Sequence, residues 1–191
     1  MKINRSTILP LDKFIEYALY DKDTGYYMKK NPFGAEGDFV TAPNITRLIS
    51  EIIAIWIITF WKSIGCPMNF NLLELGAGNA EMMKVIISTL KNFPECFNNC
   101  NFLIHEKSIF LKKQQQSNLK LESVEWIDSI KKFNSYPTIF LANEFFDALP
   151  IKQFFKKNEG WVERFVDLKE IDQAKFEEQL TDIKKIQKKL N

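Results

Sequence analysis

The chain has few cysteines and no apolar run long enough to cross a membrane. Its three cysteines, Cys66, Cys96 and Cys100, are too few for a disulfide framework in 191 residues, and we recognise no signal peptide. The most apolar stretch, residues 48–61, is interrupted by Glu51 and is shorter than a bilayer-spanning helix. These features predict a soluble protein of a reducing compartment, and we expect a cytoplasmic location.

A strong charge of either sign is also absent. The 26 basic residues exceed the 24 acidic residues by two, so the net charge gives no argument for nucleic-acid binding. Histidine occurs once, as His105, and its spacing from Cys96 and Cys100 matches no common zinc pattern. We therefore expect neither a nucleic-acid partner nor a metal site. Lysine far outnumbers arginine, a usage typical of an AT-rich bacterial genome.

Glycine is scarce as well, but two of the seven glycines lie one residue apart in L-L-E-L-G-A-G-N-A, Leu72–Ala80. An apolar run, a glycine pair and a helix-like segment predict a strand, a tight turn and a helix, an arrangement that holds a nucleoside-type ligand at the helix N-terminus. Gly76 would permit the turn, Gly78 would let the backbone approach the ligand, and Glu74 would bind a ligand ammonium. Many strand–helix turns contain such a glycine pair without a ligand, so the pattern alone is weak evidence.

Strand and helix patterns alternate along most of the chain, which predicts an α/β protein with a mostly parallel, Rossmann-like sheet. We expect about four parallel strands, then a β-hairpin and a closing helix over 168–190, where apolar residues recur at three- and four-residue steps. Since such sheets usually have more strands, we expect an incomplete sheet whose fourth strand is an edge for the hairpin or another chain to cover. The predicted strands are 70–74, 101–106, 123–126 and 138–142, the hairpin strands are 151–155 and 161–166, and the other predicted helices are 11–19, 45–61, 80–90 and 108–119.

The N-terminal third is predicted to be an extension of helices and loop. Residues 20–43 are irregular and contain several glycines and aromatic residues; long loops are usually functional or disordered, and the aromatic residues argue against disorder. We therefore divide the chain into residues 1–66, with the helices and the glycine–aromatic loop, a nucleotide-binding core at 67–150, and a hairpin with a C-terminal helix at 151–191.

A second acid lies at the end of the next predicted strand. Glu106 occupies the place where dinucleotide-binding folds have a carboxylate that accepts hydrogen bonds from ribose hydroxyls. Its distance from the glycine pair exceeds the usual 20 or so residues, and an insertion near 92–99 would account for the difference. A solvent-exposed acid at a strand end is the alternative interpretation. His105 lies on the opposite face of the strand, and we expect it to be a packing residue.

The segment A-N-E-F-F-D-A-L-P, Ala142–Pro150, follows the fourth predicted strand. Residues after the first and fourth strands flank the point where the strand order reverses, so they face the ligand cleft. Asn143, Glu144 and Asp147 stand among apolar residues in this segment, and an acid within an apolar cluster is costly unless it has a partner. We therefore expect a functional site here.

Together these motifs resemble the MidA-like S-adenosylmethionine-dependent methyltransferases, whose mitochondrial members act as protein arginine methyltransferases in respiratory complex I assembly. The chain has Ala80 where family members usually have a third glycine, and alanine is tolerated at that helix-packing position. The family pattern continues well past Val166, so we expect a truncated, N-terminal part of such an enzyme. The matching stretches are Phe14–Tyr27, Gly34–Pro43, Leu72–Gly78, His105–Gln114, Ala142–Phe154 and Gly160–Val166.

The resemblance implies a class I methyltransferase sheet, S-adenosyl-L-methionine as cofactor, and a protein substrate such as a respiratory complex I subunit. The glycine–aromatic loop would lie over the cofactor. An acceptor arginine is always protonated in water, so carboxylates would bind it and help remove its proton. The implied cofactor pocket consists of Glu74, Gly76, Gly78, Glu106 and Asn143, and the catalytic candidates are Glu144, Asp147 and Asp38.

Three interpretations stay open at this point. The chain is either a working methyltransferase, completed by a partner chain that supplies the missing strands or by a dimer, or a remnant that transfers nothing, or a non-catalytic assembly or scaffold protein of the same fold. A nucleic-acid methyltransferase is a weaker alternative, because the N-E-F-F segment lacks the prolines of the Asn-Pro-Pro-aromatic signature and no basic, aromatic face is evident.

Overall fold

The computed structural model describes residues 8–29, 38, 45–130, 134–169, 174–182 and 184. The chain forms two compact units, one from Tyr27–Phe146 and the other from Met1–Tyr26 together with Asp147–Asn191. The three-part division that the sequence suggests stays a prediction.

Helices and strands are numbered here in chain order. The strands are β1 (Ile8–Pro10), β2 (Phe70–Leu75), β3 (Cys100–His105), β4 (Val124–Trp126), β5 (Thr138–Leu141), β6 (Phe154–Lys157), β7 (Gly160–Asp167) and β8 (Lys175–Leu180). The α-helices are α1 (Leu11–Tyr20), α2 (Tyr26–Lys29), α3 (Arg47–Ser63), α4 (Glu81–Leu90), α5 (Pro94–Asn98) and α6 (Ile109–Asn118), and a short 3-10 helix covers Phe146–Ala148.

A parallel four-stranded sheet in the order β4-β3-β2-β5 forms the centre of the larger unit. Strand β2 is buried along its whole length, as is typical of a strand with both faces covered. The α/β class and the four parallel strands predicted from the sequence are therefore confirmed. Within the described ranges β5 pairs only with β2, so the fourth strand is an edge of this sheet as expected.

Helices α3 and α4 pack on one face of the sheet. Their inward side chains form one core with alternate strand residues, among them Leu72 of β2 and Ile104 of β3. The intervening residues Leu73 and Leu103 belong to a separate cluster, as the two-residue alternation of a strand requires. Helix α3 begins where the Thr46 hydroxyl accepts a hydrogen bond from the Leu48 amide at 3.2 Å, a typical N-cap.

The outer face of α3 is apolar and exposed. Trp56 and Phe60 stack on this face with ring centroids 5.3 Å apart. The exposed apolar side chains of this stripe are Leu48, Ile49, Ile52, Ile55, Trp56 and Phe60. No helix in the described part of the chain has both the length and the hydropathy that a membrane span needs.

The smaller unit contains an antiparallel sheet in which β7 pairs with β1, β6 and β8. The predicted hairpin is confirmed as β6 and β7, joined through residues 158–159. The Lys152 ammonium forms ion pairs with Glu163 and, at 3.1 Å, with Asp12. The Arg164 guanidinium lies over the rings of Phe155 and Phe176, at 4.4 and 4.8 Å from their centroids, within the range of cation–π attraction.

The predicted closing helix over 168–190 is wrong in the part that the structure describes, because Lys175–Leu180 is a strand. Phe176 and Leu180 lie opposite Val166 and Val162 of β7. A spacing of four residues returns to the same face of a helix and also to the same face of a strand, so the periodicity suited both. Pairing with β7 and an ion pair between Lys157 and Glu178 favour the strand.

The other elements lie close to their predicted bounds. Strand β1, helix α5 and strand β8 are absent from the sequence-based assignment, and α5 lies in the proposed insertion near 92–99. Residues 20–43 were expected to be irregular, yet Tyr26–Lys29 is helical. Residues 30–37 and 39–43 of the glycine–aromatic loop lie outside the described residues.

Two isoleucines of α3 test the packing of this helix. Ile57 is 0% exposed, whereas Ile52 is 58% exposed on the same helix. Ile57→Ala should lower the free energy of unfolding by about 2–5 kcal/mol, because it removes buried methylenes and leaves a cavity. The matched change Ile52→Ala should lower it by less than about 1 kcal/mol. Urea unfolding followed by circular dichroism measures both, and similar losses in the two variants would contradict this packing.

Candidate functional site

The glycine turn lies where β2 ends. The Gly76 amide donates a hydrogen bond to the His105 carbonyl at 2.9 Å, which ties the turn to the end of β3. Gly76, Gly78 and Ala80 have φ angles of 65°, 56° and 63°, a left-handed conformation that suits glycine. Helix α4 begins directly afterwards, at Glu81. The strand, turn and helix predicted from the sequence are therefore confirmed.

Ala80 departs from the expectation in one respect. We expected the position to need a small residue for helix packing, and Ala80 is indeed fully buried. Its φ of 63° and ψ of 22° are also left-handed, which costs a residue with a Cβ about 1–2 kcal/mol. A glycine at this position would therefore adopt the left-handed conformation without this cost, and it would also be small enough for the packing.

Gly76 has a packing role that the sequence did not reveal. A Cβ at this position would lie 2.7 Å from Cδ2 of Phe145, closer than real Cβ atoms come. The ring of Phe145, in the segment after β5, therefore packs directly on the glycine turn. Because Gly76 has no side chain, the segments that follow β2 and β5 can lie in direct contact at this point.

Glu74 is a buried acid, and one of its carboxyl oxygens accepts no hydrogen bond from the described residues. It is 3% exposed and its Oε2 has no hydrogen-bond partner among the described residues. Burial, and to a smaller extent the negative charge of Glu106, raise the pKa of this carboxyl to about 8, against a hydrogen bond from the Met83 amide that lowers it. An unpaired buried carboxyl is costly in a folded protein, and such groups are concentrated at functional sites.

Glu106 is held by two donors at the end of β3. Its Oε1 accepts a hydrogen bond from the Ser108 amide at 2.8 Å and its Oε2 accepts one from Nε2 of Gln115 at 3.0 Å. Burial raises the pKa of Glu106, and these two hydrogen bonds act in the opposite direction. The alternative of a merely solvated acid does not fit a half-buried carboxylate with two fixed donors. The two oxygens of a carboxylate offer about four lone-pair sites between them, so Glu106 could also accept a ribose hydroxyl.

Sequence reasoning missed Gln115. Its side chain is 0% exposed and joins Glu106 to the glycine turn, since Nε2 also donates to the Gly78 carbonyl at 3.0 Å. In the sequence it is the middle one of three glutamines on a polar helix. The available signal was its spacing of four residues from Leu111 and from Leu119, which places it on the buried face of α6.

Asn143 and Glu144 follow β5 as expected, but the argument from burial is wrong for them. Asn143, Glu144 and Asp147 are all exposed, so no desolvation cost points to function at these positions. Glu144 has a φ of 49°, a left-handed conformation that is uncommon for a residue with a side chain and is often found at functional sites. Their assignment as site residues stays a prediction.

For the other residues considered in the sequence, the structure gives their own surroundings. Asp147 belongs to the smaller unit. Asp38 is exposed and stands between ranges that the structure does not describe. His105 Nδ1 lies 3.0 Å from the Ile127 carbonyl, a contact that suits a packing residue. Among the described residues, no group of three or more histidine, cysteine or acidic side chains is placed to hold a metal ion.

The residues at the ends of β2 and β3 fit the parts of S-adenosylmethionine. The unpaired oxygen of Glu74 suits an ammonium group, and the free lone pairs of Glu106 suit ribose hydroxyls. The glycine turn and the N-terminus of α4 stand directly after Glu74 in the chain. These hydrogen-bond acceptors therefore agree with an amino-acid-bearing nucleoside as ligand.

Comparison with known proteins agrees with this geometry. A family model described as "Putative S-adenosyl-L-methionine-dependent methyltransferase" matches residues 52–191. The mitochondrial protein arginine methyltransferase NDUFAF7 of Xenopus tropicalis is 28% identical, over 87% of this chain and 44% of that protein. The human protein of the same name is also 28% identical, over 87% and 43%. The chain thus spans less than half the length of these relatives.

A solved structure shows the same fold. A COG1565 superfamily member from Burkholderia thailandensis, bound to S-adenosyl-homocysteine, superposes with a TM-score of 0.75 at 24% identity, over 91% of this chain and 46% of that one. The family model covers most of the chain and includes the glycine turn, Glu74 and Glu106. The chain therefore belongs to the S-adenosyl-L-methionine-dependent methyltransferase family.

Proposed function

We propose that this chain binds S-adenosyl-L-methionine and takes part in methyl transfer to a protein arginine side chain. The observation that carries the proposal is Glu74, a buried carboxyl with an unpaired oxygen immediately before a left-handed glycine turn. Membership of the methyltransferase family supports the cofactor, and the names of the relatives support arginine as acceptor.

The cofactor would be held by groups at the ends of β2, β3 and β5. In this proposal Glu74 binds the ammonium of the cofactor and Glu106 accepts its ribose hydroxyls. Gly78 lets the backbone approach the ligand closely, and Asn143 lies at the edge of the pocket. Gly76 contributes indirectly, because its missing side chain leaves room for Phe145.

The bound cofactor supplies a methyl group on a positively charged sulfonium. An arginine nitrogen would attack that methyl in line, so that a C–N bond forms as the C–S bond breaks, and the arginine would lose one proton. The guanidinium is always charged in water, so acidic side chains are needed to orient it and accept the proton. Our candidates are Glu144, Asp147 and Asp38.

Three further proposals concern the setting of the protein. We propose that strands from another chain pair with the edge of β5 that lies away from β2, because β5 pairs only with β2 within the described ranges and a strand edge without a neighbour readily accepts another strand. A respiratory complex I subunit as the protein substrate and a cytoplasmic location also stay proposals.

Titration of the purified full chain with S-adenosylhomocysteine in a calorimeter tests cofactor binding. Saturable binding is expected, and Gly78→Val should abolish it, because a branched side chain would strain the left-handed turn and block the backbone approach. Gly65→Val is the matched control, since Gly65 is also left-handed, with a φ of 88°, but has open space around it. A folded wild-type chain that binds nothing would favour the remnant or scaffold interpretation.

The raised pKa of Glu74 gives the binding a pH dependence of definite sign. Below a pKa of about 8 the carboxyl is protonated in the free protein, and it must lose that proton to pair with an ammonium. The affinity for S-adenosylhomocysteine should therefore rise by about tenfold per pH unit from about pH 6 to pH 8 and then level off. Calorimetry in buffers of different ionisation enthalpy should show release of about one proton near pH 7.

Glu74→Gln is the control for this pH dependence. The variant should bind more weakly at pH 8 but with an affinity that hardly changes over the same range, and it should release no proton. A wild-type affinity that is constant with pH would mean that Glu74 does not pair with the ammonium.

Glu144→Gln tests the catalytic assignment. Cofactor affinity should stay within about twofold of wild type, whereas methyl transfer from labelled S-adenosylmethionine to an arginine-containing peptide should fall by about 100-fold or more, as for loss of a proton-accepting group. Glu159→Gln, at the exposed turn between β6 and β7, should change neither quantity. Loss of folding in Glu144→Gln, seen by circular dichroism, would make Glu144 a structural residue instead.

A further inference from the structure

We propose that Gln115 is a positioning residue that fixes the ribose-binding carboxylate of Glu106 and the glycine turn relative to each other. The inference rests on the proposed function, since it concerns how the cofactor pocket is held in shape. Gln115 does not need to touch the ligand for this role; it acts through the two groups that do.

Both the nitrogen and the oxygen of the Gln115 side-chain amide form hydrogen bonds. Its Nε2 donates to the Gly78 carbonyl and to Oε2 of Glu106, each at 3.0 Å. Its Oε1 accepts the indole N–H of Trp126 at 2.9 Å. Both amide hydrogens are thus engaged, and the fully buried group is paired at every atom that requires a partner.

The indole of Trp126 decides which way this amide faces. An indole N–H can only donate, so the amide oxygen must point towards Trp126. The amide nitrogen then necessarily points towards its two acceptors, the carbonyl of Gly78 and the carboxylate of Glu106. The Gln115 side chain thus connects three segments of the chain, which lie after β2, after β3 and in β4. Its amide cannot be reversed without losing hydrogen bonds.

The contacts around Gln115 extend this restraint. Glu106 Oε1 is fixed by the Ser108 amide at 2.8 Å, so the carboxylate is held at both oxygens. One turn further along α6, Nδ2 of Asn118 donates to the Asn79 carbonyl at 2.9 Å. Helix α6 therefore binds two successive carbonyls of the glycine turn.

Such restraint matters for affinity because a ligand binds more tightly to groups that are already in place. Without the hydrogen bond from Gln115, the Glu106 carboxylate would rotate and the Gly78 carbonyl would be left without a buried partner. Binding of the ribose hydroxyls would be weakened the most, because Glu106 is the group proposed to bind them.

The test compares Gln115→Leu with Gln116→Leu, the same substitution at the exposed neighbouring position. Calorimetric titrations use S-adenosylhomocysteine and its 2′-deoxyribose analogue. Gln115→Leu should raise the Kd for S-adenosylhomocysteine by about tenfold or more, as expected for loss of a hydrogen bond to a charged group, and should largely remove the preference over the deoxy analogue. Gln116→Leu should change neither. Equal weakening of both ligands, or none, would overturn the proposal.

Trp126→Phe is the second variant, in case leucine at position 115 prevents folding. It leaves Gln115 intact but removes the donor that orients its amide. The same selective loss of the preference for the ribose hydroxyl is expected, with a smaller effect of a few-fold. An unchanged preference in this folded variant would count against an orienting role.

A measurement without ligand separates this inference from the proposed function. Titration of the Glu106 carboxyl by ¹³C NMR should show a higher pKa in Gln115→Leu than in the wild type or in Gln116→Leu, because a donor that lowers it has been removed. If the wild type bound no S-adenosylhomocysteine, the proposed function would fail, and this titration would still decide whether Gln115 holds Glu106. An unchanged pKa would overturn the inference.

Discussion

The parallel pairing of β2 with β3 on one side and with β5 on the other is the constraint on which the site depends. Parallel strands end at the same edge of a sheet, so the registers that place Leu75 beside His105 and Glu74 beside Leu141 also bring three turns together. The residues that follow these strands then need only short segments to meet. Contacts between the turns, such as that of Phe145 with Gly76, hold the edge in shape.

Much of the larger unit could be predicted from the sequence because its signals are local. A buried strand, a glycine turn and an amphipathic helix each have a distinct pattern, and their order implies parallel pairing. Glu74 and Glu106 could be found for the same reason, since both stand where a strand ends. The smaller unit was harder: the spacing between Phe176 and Leu180 fits a helix as well as a strand, and only the partner strand β7 decides between them.

Burial could not be predicted in the same way. Glu74 and Glu144 are both acids near the end of a parallel strand, yet Glu74 is almost completely buried and Glu144 is exposed. The difference lies in what packs over each residue, which is a property of the assembled fold. Gln115 was missed for a related reason, because its importance comes from three partners on different segments that only the fold brings together.

The exposed apolar stripe on α3 has a practical consequence for handling the protein. Contiguous apolar surface of this kind favours association between copies when nothing else covers it. The hydrophobic driving force weakens on cooling, so such association should be less extensive in the cold. Solutions of the chain should therefore be dispersed most completely when they are cold and dilute.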